Sequence, residues 1–402
     1  MSGEPMPPKA APTATPRGPA TRVAGFQETV FATYSRLARE RGAIDLGQGF
    51  PDFDPPDFVV DALRRSADGF QQYAPLGGLP ELTGEVAADL SAGLARDLDP
   101  AANLLVTDGA TEGLFACMQA LIDPGDEVLL LEPFYDAYPA DVVMAGGVPR
   151  YLPLELQGGR WTLDPDRLRA AVTDRTRAIV VNTPHNPTGK VFTAAELDLL
   201  VAEAARVNAL LISDEVYERI AFEGHVPLAG RPGAWERTLT VASLGKTFSV
   251  TGWKVGWVSG PEPLVRAVRM AHQWIPFTVA TPLQAAGAAM LRHARESGYY
   301  RELADDYRRR RDALLAALEP TPFRPFVPDG GYFVLADARL LGYEDDVALC
   351  RDLPGRVGVG AIPPSAFYAD EHKSLARHLV RFAYCKDEGL IRRAGERLQA
   401  LG

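Results

Sequence analysis

The chain has 402 residues, of which 47% are hydrophobic and 23% are charged, a composition that excludes a disordered or fibrous protein. Its 42 Lys and Arg against 52 Asp and Glu give a formal net charge of −10, which argues against a general nucleic-acid-binding protein. At about 150 residues per domain, the length predicts two or three domains, or one large and one small lobe. An anionic ligand would need a local pocket, because the overall field of the protein repels it.

The N-terminal segment and the cysteines indicate the cellular compartment of the protein. Residues 1–22 are rich in Pro, Ala and Thr and lack the apolar centre of a secretory signal, which predicts a disordered tail on a cytoplasmic protein. No apolar run reaches the roughly 18 residues that a membrane helix needs. The histidines form no HExxH pattern, so we expect no metal site. Three widely spaced cysteines in apolar contexts predict buried free thiols at Cys117, Cys350 and Cys385.

From about Phe26 the sequence alternates helical patterns with short apolar runs. The predicted helices are 26–41, 57–67, 80–95, 111–122, 137–145, 165–172, 193–206 and 262–272. The predicted strands are Leu104–Thr107, Glu127–Leu131, Arg150–Pro153, Ala178–Asn182, Leu210–Asp214, Thr238–Ser243 and Val255–Ser259. Several runs, such as RAIVVN, are apolar on both faces, as strands are when helices cover both sides of a parallel sheet. This pattern predicts an α/β fold.

The C-terminal third has a different order of elements. Beyond about residue 280 a long helical stretch leads into strands separated by an acidic helix near 345–353, which predicts a smaller α+β lobe. We therefore divide the chain into a tail, an N-terminal arm that joins the small domain, a large domain and a small C-terminal domain. Their predicted bounds are 1–22, 23–60, 61–285 and 286–402.

Lys246 lies just after the apolar run TLTVASL, in what we predict to be a loop at the end of a strand. Such loops carry the active residues of many α/β proteins, although a solvated surface lysine is the ordinary alternative. Ser243, Thr247 and Ser249 add hydroxyl groups, and Lys254 adds a second cation. Two cations and several hydroxyls at the end of a sheet suit a phosphate group.

Three more motifs follow apolar runs. Asp214 closes the run LLIS, where a buried carboxylate is costly unless it is paired; a helix cap is the alternative. Asn186 in NTPHNPTG would place an amide at the same edge of the sheet, unless this segment is a plain loop. In TDGATEGLF, Thr111 is predicted to open a helix whose backbone N–H groups could bind phosphate.

Together these motifs resemble the fold-type I, pyridoxal-phosphate-dependent aminotransferases, and the resemblance extends from about Phe26 to the C-terminus. It implies the PLP-dependent transferase fold, with a mostly parallel seven-stranded sheet between helices and a smaller α+β domain. It also implies a homodimer with shared active sites and a ping-pong transfer from an L-amino acid to a 2-oxo acid such as 2-oxoglutarate. The matching motifs are IDLGQGFPDFDPP, QQYAPLGG, EPFYDAY, NTPHNPTGKVF, DEVYERI, SLGKTFSVTGWKVGW, GGYFVLAD, GAIPPSAFY and VRFAYCK.

The resemblance implies catalytic roles for Lys246 and Asp214 and supporting roles for three other residues. Lys246 would form a Schiff base with the aldehyde of pyridoxal 5′-phosphate and then, once freed, act as a general base. Asp214 would face the pyridine nitrogen and keep it protonated. Asn186 and Tyr217 would donate hydrogen bonds to the phenolic oxygen, and Tyr135 would stack on the ring.

The resemblance also implies two sites for anions. The cofactor phosphate would be held by Gly109, Ala110, Thr111, Ser243 and Lys254, with Tyr73 reaching across from the neighbouring subunit. A lysine at 254, where many relatives have arginine, offers a point charge rather than a planar fork. The substrate α-carboxylate would pair with Arg381 in LVRFAYCK, assisted by Gly49 and Asn186.

The donor side chain would contact residues at the mouth of the site, namely Phe26, Phe50, Tyr73, Phe277 and Thr278. Aromatic residues suit apolar or aromatic donors and do not exclude a succinylated one. The most similar subgroup includes kynurenine, methionine, glutamine–phenylpyruvate and N-succinyldiaminopimelate aminotransferases. Thr278 stands where kynurenine-type enzymes carry histidine, which argues against kynurenine, and the lack of a motif for a second distal arginine argues against aspartate.

Three other functions stay open at this point. A cysteine-conjugate β-lyase has the same fold and the same site residues. A nucleotide-dependent oxidoreductase would need a GxGxxG motif, which the sequence lacks. A non-catalytic member of the fold would be expected to have lost Lys246, which is present.

Overall fold

The computed structural model describes residues 18–402, so most of the predicted tail lies outside the described residues. Within the described part of the tail, the first helix already begins at Thr21. The α-helices, numbered in chain order, are α1 Thr21–Ala24, α2 Val30–Glu40, α3 Asp57–Ser66, α4 Pro80–Leu94, α5 Gly109–Leu121, α6 Ala137–Met144, α7 Pro165–Ala171, α8 Ala194–Arg206, α9 Leu244–Thr247, α10 Glu262–His272, α11 Thr281–Ser297, α12 Tyr299–Leu318, α13 Asp346–Arg356 and α14 Glu388–Leu398.

The strands form one large sheet and three small ones. They are β1 Ile44–Asp45, β2 Leu104–Thr107, β3 Glu127–Glu132, β4 Val148–Pro153, β5 Glu155–Gln157, β6 Arg160–Thr162, β7 Thr176–Asn182, β8 Leu210–Asp214, β9 Thr238–Ser243, β10 Gly256–Ser259, β11 Arg324–Pro325, β12 Phe333–Asp337, β13 Val359–Gly360 and β14 Leu379–Ala383.

The large sheet has seven strands in the order β2-β10-β9-β8-β7-β3-β4. Only β10 is reversed, since it pairs antiparallel with both of its neighbours, whereas the other pairs that join β9 to β4 are parallel. Separate apolar clusters pack on the two faces of this sheet, which explains why its strands are apolar on both sides. The predicted α/β fold with a mostly parallel sheet is confirmed.

The seven predicted strands are all present, with ends within two residues of the prediction. The helix predicted at 26–41 begins later, at Val30, because the Thr29 side chain accepts a hydrogen bond from the Ala32 N–H and caps it. The sequence analysis missed the β5–β6 hairpin. Its turn residues, Gly158 and Gly159, both have positive φ, and a Gly-Gly pair is a recognised signal for a two-residue hairpin turn.

The C-terminal region builds a second layer beside the large sheet. Strands β11, β12 and β14 form an antiparallel sheet, in which Leu335 pairs with Arg381. Strand β1 pairs in parallel with β13, so residues from both ends of the chain meet here. The predicted α+β character of this region is present, and it places Arg381 on a central part of strand β14.

Three early expectations concern the cysteines, membrane-spanning helices and metal sites. Cys117, Cys350 and Cys385 are buried free thiols, as predicted. Among residues 18–402, no helix is both long enough and apolar enough to cross a membrane. The same residues contain no group of three or more His, Cys, Asp or Glu side chains arranged to hold a metal ion.

Candidate active site

The site lies at one edge of the large sheet, where the carboxyl ends of four strands meet the start of a fifth. Asn182 ends β7 and pairs with Asp214, which ends β8, while Ser243 ends β9 and pairs with Gly256. Gly256 in turn pairs with Thr107, the last residue of β2. Since the carboxyl ends of parallel strands share an edge, polar residues that are distant in sequence come together there.

Lys246 lies on the short helix α9 rather than in the predicted loop, because the chain turns into helix directly after β9. Its half-buried Nζ donates a hydrogen bond to the Tyr332 hydroxyl at 2.9 Å and lies 5.7 Å from the centre of the Tyr217 ring. Burial lowers the pKa of the Lys246 amine to about 8, although the charge of Asp214 opposes that shift. A larger fraction of this amine is therefore neutral near pH 7 than for an ordinary lysine.

Asp214 is buried and faces the same space. Its Oδ2 accepts a hydrogen bond of 2.6 Å from the Tyr138 hydroxyl, and its Oδ1 accepts one of 3.3 Å from the Val216 N–H. Burial raises the pKa of Asp214 to about 6, against the opposing effect of these hydrogen bonds and of Lys246. The carboxylate would be stabilised by a cationic partner that reaches it within the cavity.

The first turn of α5 forms a cradle beside Lys254. The helix begins at Gly109, two residues earlier than predicted, so Gly109, Ala110 and Thr111 make up its first turn, where backbone N–H groups lack partners within the helix. A Cβ on Gly109 would lie 3.1 Å from Lys254 Nζ, which places the ammonium directly beside the helix start. A cation beside the positive end of a helix is unfavourable unless an anion binds between them.

Arg381 is fully buried, yet it has no carboxylate within salt-bridge distance among the described residues. It donates hydrogen bonds to the Asn186 Oδ1 at 3.2 Å and to the Gly47 carbonyl at 2.8 Å, while its Nε has no partner. The Phe333 ring lies 4.1 Å from the guanidinium carbon. Burial lowers the pKa of Arg381 to about 10, because desolvation disfavours the cation, and an anionic partner would offset that cost.

One cavity of about 220 Å³ joins these groups. Of the predicted site residues, the cavity lining includes Gly49, Gly109, Ala110, Thr111, Tyr135, Asn186, Asp214, Tyr217, Ser243, Lys246, Lys254 and Arg381. It combines an amine, a carboxylate, a guanidinium and a helix N-terminus.

Comparison with known proteins agrees with this geometry. Residues 41–398 match the family "Aminotransferase class I and II". The chain belongs to this family. It is 38% identical to the kynurenine–oxoglutarate transaminase of Dictyostelium discoideum, over 95% of this chain and 96% of that protein.

Two solved structures are similar along almost the whole chain. N-succinyldiaminopimelate aminotransferase from Mycobacterium tuberculosis is 43% identical, with a TM-score of 0.92 over 96% of this chain and 100% of that one. A protein from Escherichia coli, described as having a methionine aminotransferase function, is 37% identical, with a TM-score of 0.91 over the same shares. The protein is thus an aminotransferase, and an oxidoreductase function is disfavoured.

The predicted specificity residues lie outside the cavity of this aminotransferase. Tyr73 is 80% exposed and Phe277 is 52% exposed, and their rings contact each other edge to face at 5.4 Å. Phe26 and Phe50 are also exposed. The Thr278 hydroxyl donates to the Ala74 carbonyl at 3.4 Å. In a single chain none of these five residues lines the cavity, so their place at its mouth stays a prediction, and we call them the predicted rim.

Several polar residues of the site were not predicted from the sequence, among them Tyr138, Tyr332 and Asn182. Tyr138 contacts Asp214, and it follows Tyr135 by three residues, a spacing that could have indicated a shared helix face. Tyr332, in the GGYFVLAD motif, accepts a hydrogen bond from Lys246 and donates one to the Gly49 carbonyl. The Asn182 side chain accepts from the Asn186 N–H at 2.7 Å, a contact that no local pattern indicates.

Proposed function

We propose that this aminotransferase works with pyridoxal 5′-phosphate attached to Lys246. The proposal is carried by three ionisable groups that line one cavity, in each of which burial disfavours the charged form. The Lys246 amine has a lowered pKa, Asp214 is a buried carboxylate with a raised pKa, and the buried Arg381 has no carboxylate partner. Such strongly perturbed groups in one cleft are typical of a catalytic site.

The lining residues fit this cofactor group by group. Its phosphate suits the first turn of α5, together with Lys254 and Ser243, where a cation lies beside unpaired N–H groups. Its ring nitrogen suits Asp214, and Tyr135 offers an aromatic face. When bound, the cofactor supplies an aldehyde that accepts the amino group and a ring that accepts electrons from the substrate α-carbon.

We assign two tasks to the side chains that would act on the donor. The Lys246 amine would take the proton from the substrate α-carbon, and a pKa of about 8 suits a general base near neutral pH. Arg381 would hold the α-carboxylate, which orients the α-carbon toward that amine. The hydrogen bond from Lys246 to Tyr332 would keep the amine directed into the cavity between proton transfers.

A homodimer with shared sites is part of this proposal. Tyr73, Trp274 and Phe277 are large and exposed, and the rings of Tyr73 and Phe277 contact each other. An exposed cluster of this kind favours an interface with another protein surface. A second copy of the chain would cover it and would bring Tyr73 toward the phosphate cradle of its partner.

For the amino donor we propose aromatic, methionine, glutamine or N-succinyldiaminopimelate-type L-amino acids. Among the described residues, the cations that line the cavity are Lys246, Lys254 and Arg381, and each already has an assigned partner. Within residues 18–402, no fourth cation lines the cavity to receive the side-chain carboxylate of aspartate. An open, aromatic rim accommodates long or apolar side chains instead.

A donor panel with 2-oxoglutarate as the acceptor tests this function. We expect measurable kcat/KM for methionine, phenylalanine, glutamine, kynurenine or N-succinyl-diaminopimelate, with the highest value naming the preferred donor, and little for aspartate. Cysteine conjugates without any acceptor form the matched control. If pyruvate appears from those conjugates while no donor supports transfer, the protein is a β-lyase and the proposed transamination is wrong.

A further inference from the structure

Asp214 and Glu215 are neighbours at the end of β8, yet they serve different cavities. Asp214 lines the active-site cavity, whereas Glu215 lines a second cavity of about 310 Å³ on the other side of the same segment. Glu215 is almost completely buried. A buried carboxylate away from the reacting groups calls for a structural explanation, since its desolvation is costly.

Both oxygens of Glu215 are engaged. Oε1 accepts hydrogen bonds from the Ser213 hydroxyl at 2.7 Å and from the Leu228 N–H at 3.1 Å, and Oε2 contacts His225 Nε2 at 2.7 Å. The backbone N–H of Glu215 donates to the Val241 carbonyl of β9. Through these hydrogen bonds, Glu215 holds both ends of the segment 215–228 beside the ends of β8 and β9. That segment carries Tyr217 and directly follows Asp214.

The charges around this contact favour an ion pair. Burial by itself lowers the pKa of His225, but the carboxylates of Glu215 and Glu218 raise it above its usual value. Arg219 and Asp89 line the same second cavity. His225 Nδ1 is buried without a partner among the described residues. The contact with Glu215 is thus the one hydrogen bond of the His225 ring among the described residues. A protonated His225 in turn compensates the buried negative charge of Glu215.

We propose that Glu215 and His225 are positioning residues for amino transfer, which hold the segment 213–217 so that Asp214 and Tyr217 keep their places in the active-site cavity. This inference rests on the proposed function. Among residues 18–402, the Asp214 side chain accepts two hydrogen bonds, from the Tyr138 hydroxyl and from the Val216 N–H, and Val216 belongs to the same segment. A shift of about 1 Å at a catalytic group can cost about 10²-fold in rate.

The test compares Glu215→Gln, His225→Asn and Ser213→Ala with the wild-type holoenzyme. Glu223→Gln is the matched control, because Glu223 lies in the segment 215–228 and its side chain is 88% exposed. We expect kcat to fall about 10- to 100-fold in the first two variants with KM changed less, and to fall least in Ser213→Ala. We also expect the pH midpoint of the near-visible absorbance of the bound cofactor to shift, because the position of Asp214 influences it.

The proposal is overturned if the variants that fold keep the wild-type kcat and the wild-type absorbance midpoint, even when their melting temperatures fall. That result would make the pair a stabilising contact only. If Glu215→Gln does not fold, His225→Asn and the milder Ser213→Ala decide by the same readouts. A wild-type protein that binds no cofactor and shows no near-visible band would instead refute the proposed function, so the two failures are distinguishable.

Discussion

The sheet edge and the rim of the active-site cavity are built in different ways. At the edge, Asn182, Asp214 and Ser243 end neighbouring strands, and their relative positions follow from the strand register. At the predicted rim, Phe26, Phe50 and Phe277 are exposed side chains on loops, outside the regular strands. The edge holds the groups that would perform the chemistry, and the rim holds those that would select the donor.

This difference separates the reaction from its specificity. Buried groups on strand ends keep one arrangement, because any shift would break paired hydrogen bonds. Exposed aromatic residues acquire their final environment only when a substrate or another chain covers them. We therefore expect substitutions at the edge to reduce turnover for every donor and substitutions at the rim to change the ranking of donors.

The largest effect is expected for Lys246→Ala, which removes the proposed base and the site of cofactor attachment. Turnover should fall by about 10³-fold or more with every donor, and the near-visible absorbance of the attached cofactor should disappear. Steady-state rates and an absorption spectrum check this, with Lys373→Ala on the exposed surface as the control. A Lys246→Ala protein with wild-type turnover would contradict the assignment.

Arg381→Ala should lower kcat/KM by about 10²- to 10³-fold, because the α-carboxylate would lose its buried partner. Arg381→Lys should restore part of the activity, since a point charge replaces the planar fork. An amine donor without an α-carboxylate provides the control: it should react slowly, and equally slowly, with the wild type and Arg381→Ala. An equal loss for both donor types would show that Arg381 acts by packing alone.

The lowered pKa of Lys246 predicts an unusual pH profile for cofactor binding. The neutral amine is the reactive form, so the rate at which the cofactor-free protein captures pyridoxal 5′-phosphate should rise with pH and level off above about 8, not near the ordinary lysine value of 10.5. Asp214→Asn should move this plateau to lower pH, because the Asp214 charge raises the pKa of Lys246. A wild-type rate that keeps rising into the ordinary lysine range would contradict burial of the amine.

The smallest effects are expected at the rim. Phe277→Ala should raise KM for aromatic donors by about 3- to 10-fold, the scale of a partly exposed apolar contact, with kcat nearly unchanged. Tyr73→Phe tests the proposed phosphate contact from the partner chain through the dissociation constant of the cofactor. If Phe277→Ala instead lowers kcat for all donors alike, the rim takes part in the chemistry. The proposed division between a catalytic edge and a selective rim is then wrong.

Much of the site could be predicted because its signals are local. Asp214 ends an apolar run typical of a buried strand and Lys246 follows another, and the parallel sheet brings such strand ends together. Tyr138 and Tyr332 were missed because their contacts with Asp214 and Lys246 join residues that are far apart in sequence. A hydrogen bond from residue 246 to residue 332 leaves no periodic pattern along the chain.

The sequence by itself determined the alternation of elements, the α/β class and the order of the motifs, since these depend on side-chain periodicity and on local turn residues. Only the tertiary structure decided which groups are buried, that Arg381 lacks a carboxylate partner and that Glu215 faces away from Asp214. The physical reason is that desolvation and charge pairing depend on all neighbours in space. Those neighbours come from every part of the folded chain.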